Sequence, residues 1–115
     1  MDERLEKALE FSNYRITLGN QKRTIKQRML VLQTVNYSKG VFNANPLMIS
    51  FIKTLIDSGK KDAIVLDSKE SPIVIDDLQD FLDTLLSSYI ESTNEYKTQM
   101  DKIVKARNIK SLMDW

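Results

Sequence analysis

The sequence predicts a mainly α-helical fold with a minor β component (α+β), built on a long antiparallel two-helix coiled-coil hairpin. Apolar residues recur every seven positions near both ends of the chain. The 115 residues include only three glycines and two prolines, and two short β-branched runs interrupt the helical pattern. Seven-residue spacing keeps a stripe on one side of a helix, whereas strands alternate every two residues. At this length we expect a single domain over residues 1–115.

The first predicted element is a long helix over residues 1–36. Its apolar stripe consists of Phe11, Leu18, Ile25 and Leu32, which are spaced by seven residues. The stretch contains no proline and a single glycine. One glycine costs a helix about 0.5 to 1 kcal/mol relative to alanine, which a helix of this length tolerates.

A short helix is predicted over residues 46–58. Asn45 has the side chain of a helix cap, Pro46 suits the first helical position, and Gly59 suits the position just beyond the end. The apolar residues of this helix cover a broad face, so we expect it to be mostly buried against the long helices or a partner. They are Leu47, Met48, Phe51, Ile52, Leu55 and Ile56.

One β-hairpin is predicted over residues 62–75, at the joined end of the two long helices. The runs 63–66 and 73–75 flank a polar loop, and Pro72 lies at the start of the second strand, where its missing donor does least harm. Two isolated strands are marginally stable, so the hairpin must pack on helices, pair with another copy, or gain a strand such as 40–43. An exposed hairpin edge would be an interaction site.

The second long helix is predicted over residues 76–107. Asp76 suits the N-cap position, and Gln79 follows it three residues later as in a variant of the capping box. The tail over residues 108–115 either extends this helix or folds back as a short one. The apolar stripe of the helix consists of Leu82, Tyr89, Tyr96 and Ile103, again spaced by seven residues.

Charges are segregated along a chain whose net charge is only +1. Residues 11–56 carry seven basic residues and no acid, whereas residues 62–95 carry nine acids and one lysine. An antiparallel helix pair would set these two blocks side by side. Exposed ion pairs contribute only about 0.2 to 1 kcal/mol each, so they would select the orientation rather than stabilise it strongly. The same arrangement sets Glu3, Glu6 and Glu10 beside Lys102, Lys105, Arg107 and Lys110.

Two clusters within these blocks have alternative interpretations. The basic cluster, Lys22, Arg23, Lys26 and Arg28, could contact phosphates of a nucleic acid. The acidic cluster, Asp76, Asp77, Asp80 and Asp83, could collect a cation such as Mg²⁺. We favour charge pairing between the clusters, together with helix capping by the acids. Nucleic acid is therefore a possible but not a favoured partner, and no metal or cofactor is expected.

Catalytic chemistry has little support in the composition. The chain has no cysteine and no histidine, so thiolate nucleophiles and imidazole bases are absent. Ser87, Ser88 and Ser92 have no base to activate them, and Tyr89 and Tyr96 fit a helix core. We expect a non-enzymatic protein without catalytic or cofactor-binding residues. The charged start and the lack of a long apolar run predict a soluble, cytoplasmic protein without membrane contact.

Apolar residues in excess of what one helix pair can bury predict self-association. A two-helix hairpin buries one stripe per helix, which leaves the short helix, the pair of Leu85 and Leu86, and the tail in need of another surface. We therefore expect a homo-oligomer, with other assembly proteins as further partners. Trp115 either anchors a partner or docks on its own helices. The candidate interface residues are Phe51, Leu55, Ile64, Leu66, Ile73, Leu112 and Trp115.

Two family resemblances bear on function. Two long helices joined through β-hairpin material resemble a prefoldin subunit, although the short helix interrupts the connection; this implies a holdase-type chaperone. The segments EKALEFSNYRITLGNQKR, SPIVIDDLQDFLDTLL and STNEYKTQMDKIVKAR resemble prohead core (internal scaffold) proteins of large contractile-tailed phages. This likeness implies a structural role in virion assembly, in the host cytoplasm or the prohead. The leading expectation is a helical assembly protein; the alternatives are a nucleic-acid-binding accessory protein and a prefoldin-like holdase.

Overall fold

The computed structural model describes the backbone of residues 2–113 and the side-chain environments of residues 2–106. The described chain contains three helices and two small antiparallel hairpins, which confirms the mainly helical fold with a minor β component. In chain order these are α1 (Glu3–Leu32), β1 (Thr34–Tyr37), β2 (Gly40–Asn43), α2 (Pro46–Asp57), β3 (Ala63–Leu66), β4 (Pro72–Ile75) and α3 (Leu78–Met113).

The chain divides into two compact units. The first unit consists of residues 1–28 and 96–115, and the second of residues 29–95. Helices α1 and α3 contribute to both units. Both hairpins and α2 belong to the second unit, so every β-strand of the described chain lies there.

The end of α1 differs from the prediction, because a second hairpin begins where the helix was expected to continue to residue 36. Strands β1 and β2 pair antiparallel, with Val35 opposite Phe42 and Tyr37 opposite Gly40. The two-residue turn between them has positive φ at Ser38 and Lys39, as a type I′ turn requires. The prediction of one hairpin was therefore wrong by one. Residues 40–43 do form a strand, but they pair with β1 in a separate sheet and do not extend the hairpin at 62–75.

Helix α2 is confirmed almost to the residue. The side chain of Asn45 accepts a hydrogen bond from the Met48 N–H at 2.8 Å, and Pro46 is the first helical residue. Beyond the helix, Gly59 has φ of +90° and its N–H donates to the Ile56 carbonyl at 2.9 Å. The Lys60 N–H donates to the Leu55 carbonyl at 3.1 Å, which completes a Schellman motif, whose left-handed position glycine adopts without strain.

The predicted hairpin at 62–75 is confirmed as β3 and β4. Ile64 pairs with Val74 and Leu66 with Pro72. The loop is closed by a hydrogen bond from the Asp67 N–H to the Ser71 carbonyl at 3.0 Å. The loop residue Glu70 has φ of +61°, as expected in a three-residue hairpin loop built from a type I turn and a bulge.

The N-cap of helix α3 lies one residue later than predicted. The Asp80 N–H donates to the Asp77 carboxylate at 3.0 Å, so Asp77 caps the helix and Asp76 precedes it. The expected capping box is also absent here, since the Gln79 amide donates to Asp83 at 3.0 Å. The helix continues to Met113, so the tail extends it up to that residue; Trp115 lies outside the described residues.

The core of the second unit joins both hairpins to α2 and the start of α3. Phe42 and Phe81 are fully buried with ring centroids 4.8 Å apart, an edge-to-face pair worth about 0.5 to 1.5 kcal/mol beyond burial. Burying each large side chain stabilises the fold by roughly 1.5 to 3 kcal/mol. The large apolar side chains that are fully buried are Phe42, Phe81, Ile52, Ile75, Leu78 and Leu85.

Helix α1 has no buried residue among those described, although it is 30 residues long. Leu18 and Ile25 of the predicted stripe are half-buried, but Phe11 is 62% exposed, with the Arg15 guanidinium 5.9 Å from its ring centre. On α3 the stripe residue Ile103 is buried. On α1 the predicted stripe is thus half-buried at Leu18, Ile25 and Leu32 and exposed at Phe11.

Two glycine-to-alanine substitutions should change stability in opposite directions. A Cβ added to Gly19 in α1 meets no atom within 4 Å, whereas one added to Gly40 lies 2.6 Å from Ile73 Cγ1. We expect Gly19→Ala to raise the free energy of unfolding by about 0.5 to 1 kcal/mol. We expect Gly40→Ala to lower it by about 1 to 3 kcal/mol because of overpacking.

Urea unfolding followed by circular dichroism measures both changes. Each variant is the control for the other, since both add one methyl group. Equal shifts in the two variants would contradict the close packing of Gly40 on β4.

Candidate interaction surface

The outward side of the β3/β4 hairpin is an exposed apolar surface, which we call the outer face; it consists of Ile64, Leu66, Pro72 and Val74. Ile64 is 67%, Leu66 58% and Val74 56% exposed. On the opposite side, Val65 and Ile75 are buried in the core. A hairpin that is apolar on both sides is typical of strands covered on both sides, and contiguous exposed apolar surface marks interaction sites.

Strand register brings the outer face together. Side chains alternate along each strand, and the pairing sets Ile64 opposite Val74. Asp67 and Ser71 form a hydrogen-bonded pair, and hydrogen-bonded and non-hydrogen-bonded pairs alternate along two antiparallel strands. Ile64 and Val74 are therefore a non-hydrogen-bonded pair, in which the two side chains lie closer together than in a hydrogen-bonded pair. The N–H and C=O of Ile64 therefore point away from β4.

The outer edge of β4 is covered by the turn of the first hairpin. The Ser38 hydroxyl donates to the Val74 carbonyl at 3.1 Å, and Gly40 packs directly on Ile73. Among the described residues, the outward N–H and C=O of Ile64 in β3 have no hydrogen-bonding partner. The edge of β3 is thus open while the edge of β4 is covered.

Asp67 closes the outer edge of β2. Its carboxylate accepts the Val41 N–H at 3.2 Å and the N–H groups of Lys69 and Ser71 at 2.9 Å each. The Ser68 N–H donates to the Val41 carbonyl at 2.8 Å. Hydrogen bonds from Ser71 and then Val41 lower the pKa of Asp67 below its ordinary value of 3.8. One carboxylate therefore fixes both the β3/β4 loop and its docking on the first hairpin.

Sequence reasoning did not single out Asp67. The available signal was its position at the start of a turn, where aspartate binds the N–H groups of the residues that follow. Its bond to Val41 joins residues 26 positions apart, and only the tertiary fold supplies that contact.

The acidic cluster has local roles in the second unit. The Tyr37 hydroxyl donates to the Asp80 carboxylate at 2.7 Å, while Asp77 caps α3 and Asp83 accepts from Gln79. The hydrogen bond to Asp80 raises the pKa of Tyr37 from 10.0 to about 12; partial burial and the charges of Asp80, Asp77 and Asp76 add to the shift. Within the described part of the chain, no group of three or more acidic, cysteine or histidine side chains is arranged to hold a metal ion.

The basic cluster lies on α1 in the first unit, with all four side chains exposed. The acidic cluster lies in the second unit, so pairing between the two clusters stays a prediction.

One open groove in the first unit is lined by both long helices. Residues 17–25 of α1 and 99–106 of α3 contribute to it, and its apolar members are Ile25, Ile103 and Ala106. The charge pattern had set Lys102 beside Glu3, Glu6 and Glu10, whereas in the groove Lys102 lies with residues 17–25.

The predicted interface residues fall into three groups. Phe51, Ile64 and Leu66 are exposed, while Leu55 and Ile73 are half-buried against the core of the second unit. The Leu112 side chain and Trp115 lie outside the described side-chain environments. Val74 was not among the predicted interface residues. Counting residues back along both strands from the loop would have paired it with Ile64.

In the described helices, no segment is both long and apolar enough to span a membrane.

Comparison with protein family models, with curated proteins and with solved structures finds no match to this chain.

Replacing Asp67 by asparagine should remove part of the acid sensitivity of the fold. A pKa lowered by folding stabilises the folded state above pH 3.8, and this contribution is lost as the pH falls through the folded value. We expect Asp67→Asn to lower the urea midpoint at pH 7 and to flatten its decline below pH 4. Asp57→Asn, which affects an exposed ion pair with Lys53 at 3.0 Å, is the matched control. Identical pH profiles for the parent and Asp67→Asn would contradict the role of Asp67.

Replacing Tyr37 by phenylalanine should remove part of the loss of fold stability at alkaline pH. A pKa raised by folding stabilises the folded state below pH 10, and the contribution is lost as the pH rises from 10 to about 12. The relevant quantity is the difference in urea midpoint between the parent and Tyr37→Phe. We expect this difference to shrink between pH 9 and 11.5; a constant difference would exclude the hydrogen bond to Asp80.

Proposed function

We propose that this chain is a non-enzymatic structural protein that assembles with further copies of itself. The observation that carries the proposal is β3, a strand whose open edge and exposed Ile64 and Leu66 side chains lie in an otherwise well-packed unit. Natural proteins usually protect such edges with charge, proline or a covering segment. Asp62 and Asp67 flank β3, but its outward residues are apolar.

Energetic magnitudes support association through more than one surface. Burying the exposed parts of Ile64, Leu66 and Val74 contributes roughly 1 to 2 kcal/mol per side chain. Association itself costs about 4 to 15 kcal/mol in lost translational and rotational freedom. Six such side chains from two copies contribute roughly 6 to 12 kcal/mol, which overlaps this cost without clearly exceeding it. Stable assembly therefore needs apolar helix surface as well.

Helix α1 offers that additional surface in the first unit. Leu5, Leu9 and Ile16 are 51%, 47% and 60% exposed, on a helix with no buried residue among those described. The groove lined by α1 and α3 supports the proposed antiparallel coiled-coil pairing of the two long helices. In this arrangement each helix buries one stripe in the pair and leaves a second for neighbouring copies.

The likeness to prohead core proteins supports a phage head scaffold as the setting of this role. Scaffold function needs complementary surfaces rather than catalytic groups, and the chain has neither cysteine nor histidine. Nucleic-acid binding by the exposed basic cluster is the second candidate, and the experiment below separates the two.

Light-scattering mass at several protein and salt concentrations, with and without duplex DNA, tests the proposal. We expect mass to rise with protein concentration and to be maintained or increased by salt, because apolar association does not weaken as counterions are added. A complex that forms only with DNA and dissociates steeply with salt would favour phosphate binding by the basic cluster. A monomer at every concentration would contradict the proposed function.

A charge placed on β3 should weaken assembly selectively. We expect Ile64→Lys to lower the mass at a given concentration, because a lysine on an exposed strand opposes edge pairing and removes apolar surface. Ser87→Lys adds the same charge at an exposed position of α3 and should leave the mass unchanged. Equal effects of the two variants would indicate a general effect of charge.

A further inference from the structure

We infer that the open edge of β3 pairs with β3 of a second copy, antiparallel and with a twofold axis at Ile64. The inference rests on the proposed self-assembly and names the partner and the register. The sheet so formed has the strand order β4, β3, β3 of the second copy and β4 of the second copy. An isolated two-stranded hairpin is marginally stable, and independent stability takes three or more strands with a hydrophobic face. The four-stranded sheet meets this requirement.

The backbone of β3 is suited to a twofold partner. The hydrogen-bonded pair of Asp67 and Ser71 fixes which peptide groups face β4, so the groups of Asp62, Ile64 and Leu66 face outward. With the axis at Ile64, this residue lies opposite its own copy and Leu66 lies opposite Asp62. Three pairs of outward residues then exchange up to about six N–H···O bonds.

The charges that flank β3 favour the same register. With the axis at Ile64, Lys61 of one copy lies opposite Asp67 of the other, and twofold symmetry repeats this pair at the other end. Both side chains belong to the odd-numbered positions of the strand, so they lie on the same side of the sheet. Lys61 is exposed. Opposite charges directly across a strand pair stabilise it, and like charges destabilise it.

Three of the four neighbouring registers bring like charges together. The fourth, centred on Ala63, has no facing like-charge pair but loses the pair of Lys61 and Asp67. Moving the axis one residue towards the loop sets Lys61 opposite Lys69, and moving it two residues sets Asp62 opposite Glu70. Moving it two residues the other way sets Asp62 opposite its own copy. Compared with these alternatives, the register centred on Ile64 places Lys61 opposite Asp67 and places no two like charges opposite each other.

Two other outward edges in the second unit are covered. The outward groups of Val41 in β2 are bonded to Asp67 and Ser68, and the Val74 carbonyl in β4 accepts the Ser38 hydroxyl. The open edge of β3 combines donors, acceptors and charges that are self-complementary under a twofold axis. A second copy therefore satisfies the edge fully, without requiring a different sequence.

Single cysteines test the geometry, because the chain has none of its own. In the inferred sheet, position 64 is adjacent to its own copy, whereas the two copies of position 74 are three strand spacings apart, about 14 Å. We expect Ile64→Cys to form a covalent dimer under mild oxidation, and Val74→Cys, similarly exposed on the outer face, to remain largely uncrosslinked. Faster crosslinking of Val74→Cys would overturn edge pairing in favour of face-to-face packing.

Two lysine variants test the register. Lys61→Glu sets a glutamate opposite Asp67 at both ends of the strand pair, and we expect it to raise the dissociation constant about five- to tenfold. Lys60→Glu makes the same change in net charge, but at a position opposite the uncharged Ser68. We expect it to change the dissociation constant by about twofold or less. Thermal melts of both variants confirm folding. Equal effects on the dissociation constant would overturn the register.

The parent protein separates failure of this inference from failure of the proposed function. A parent that is monomeric in light scattering at every concentration overturns both. A parent that assembles, while Ile64→Cys fails to crosslink and Lys61→Glu has no effect, overturns the β3 pairing alone and leaves assembly to the helix faces.

Discussion

The docking of one β-hairpin on the other is the constraint on which the second unit depends. Each hairpin has only two strands and would be marginal alone. Asp67 joins them by binding Val41 while it organises its own loop, and the Ser38 hydroxyl binds the Val74 carbonyl. The missing side chain of Gly40 lets the first hairpin approach β4 closely. These contacts place Phe42 against Phe81 and complete the core.

The same docking decides which part of the β-structure remains accessible. It covers the outward groups of Val41 and Val74, and it leaves those of Ile64 open beside the exposed Leu66 side chain. A single packing arrangement therefore both stabilises the unit and determines that the edge of β3 stays open.

Sequence patterns predicted the elements whose signals are local. The cap at Asn45, the stop at Gly59 and the hairpin at 62–75 depend on residues within a few positions of each other. The first hairpin was missed because its turn uses Ser38 and Lys39, which lack the usual Asn-Gly signal for positive φ. Asp76 and Asp77 suit the cap equally by type, so the cap could not be fixed to the residue. The open edge depends on long-range contacts of Asp67 and Ser38, which no local pattern encodes.

The first unit is discontinuous in sequence, since its two segments are joined only through residues 29–95. Bringing those segments together across an unfolded connection would cost chain entropy of roughly 4 kcal/mol. Every strand pair of the second unit, in contrast, closes a loop of two or three residues, and such local contacts form quickly. We therefore expect the chain to fold from its middle outward. Hairpins that form first would relieve the two long helices of most of their loop-closure cost.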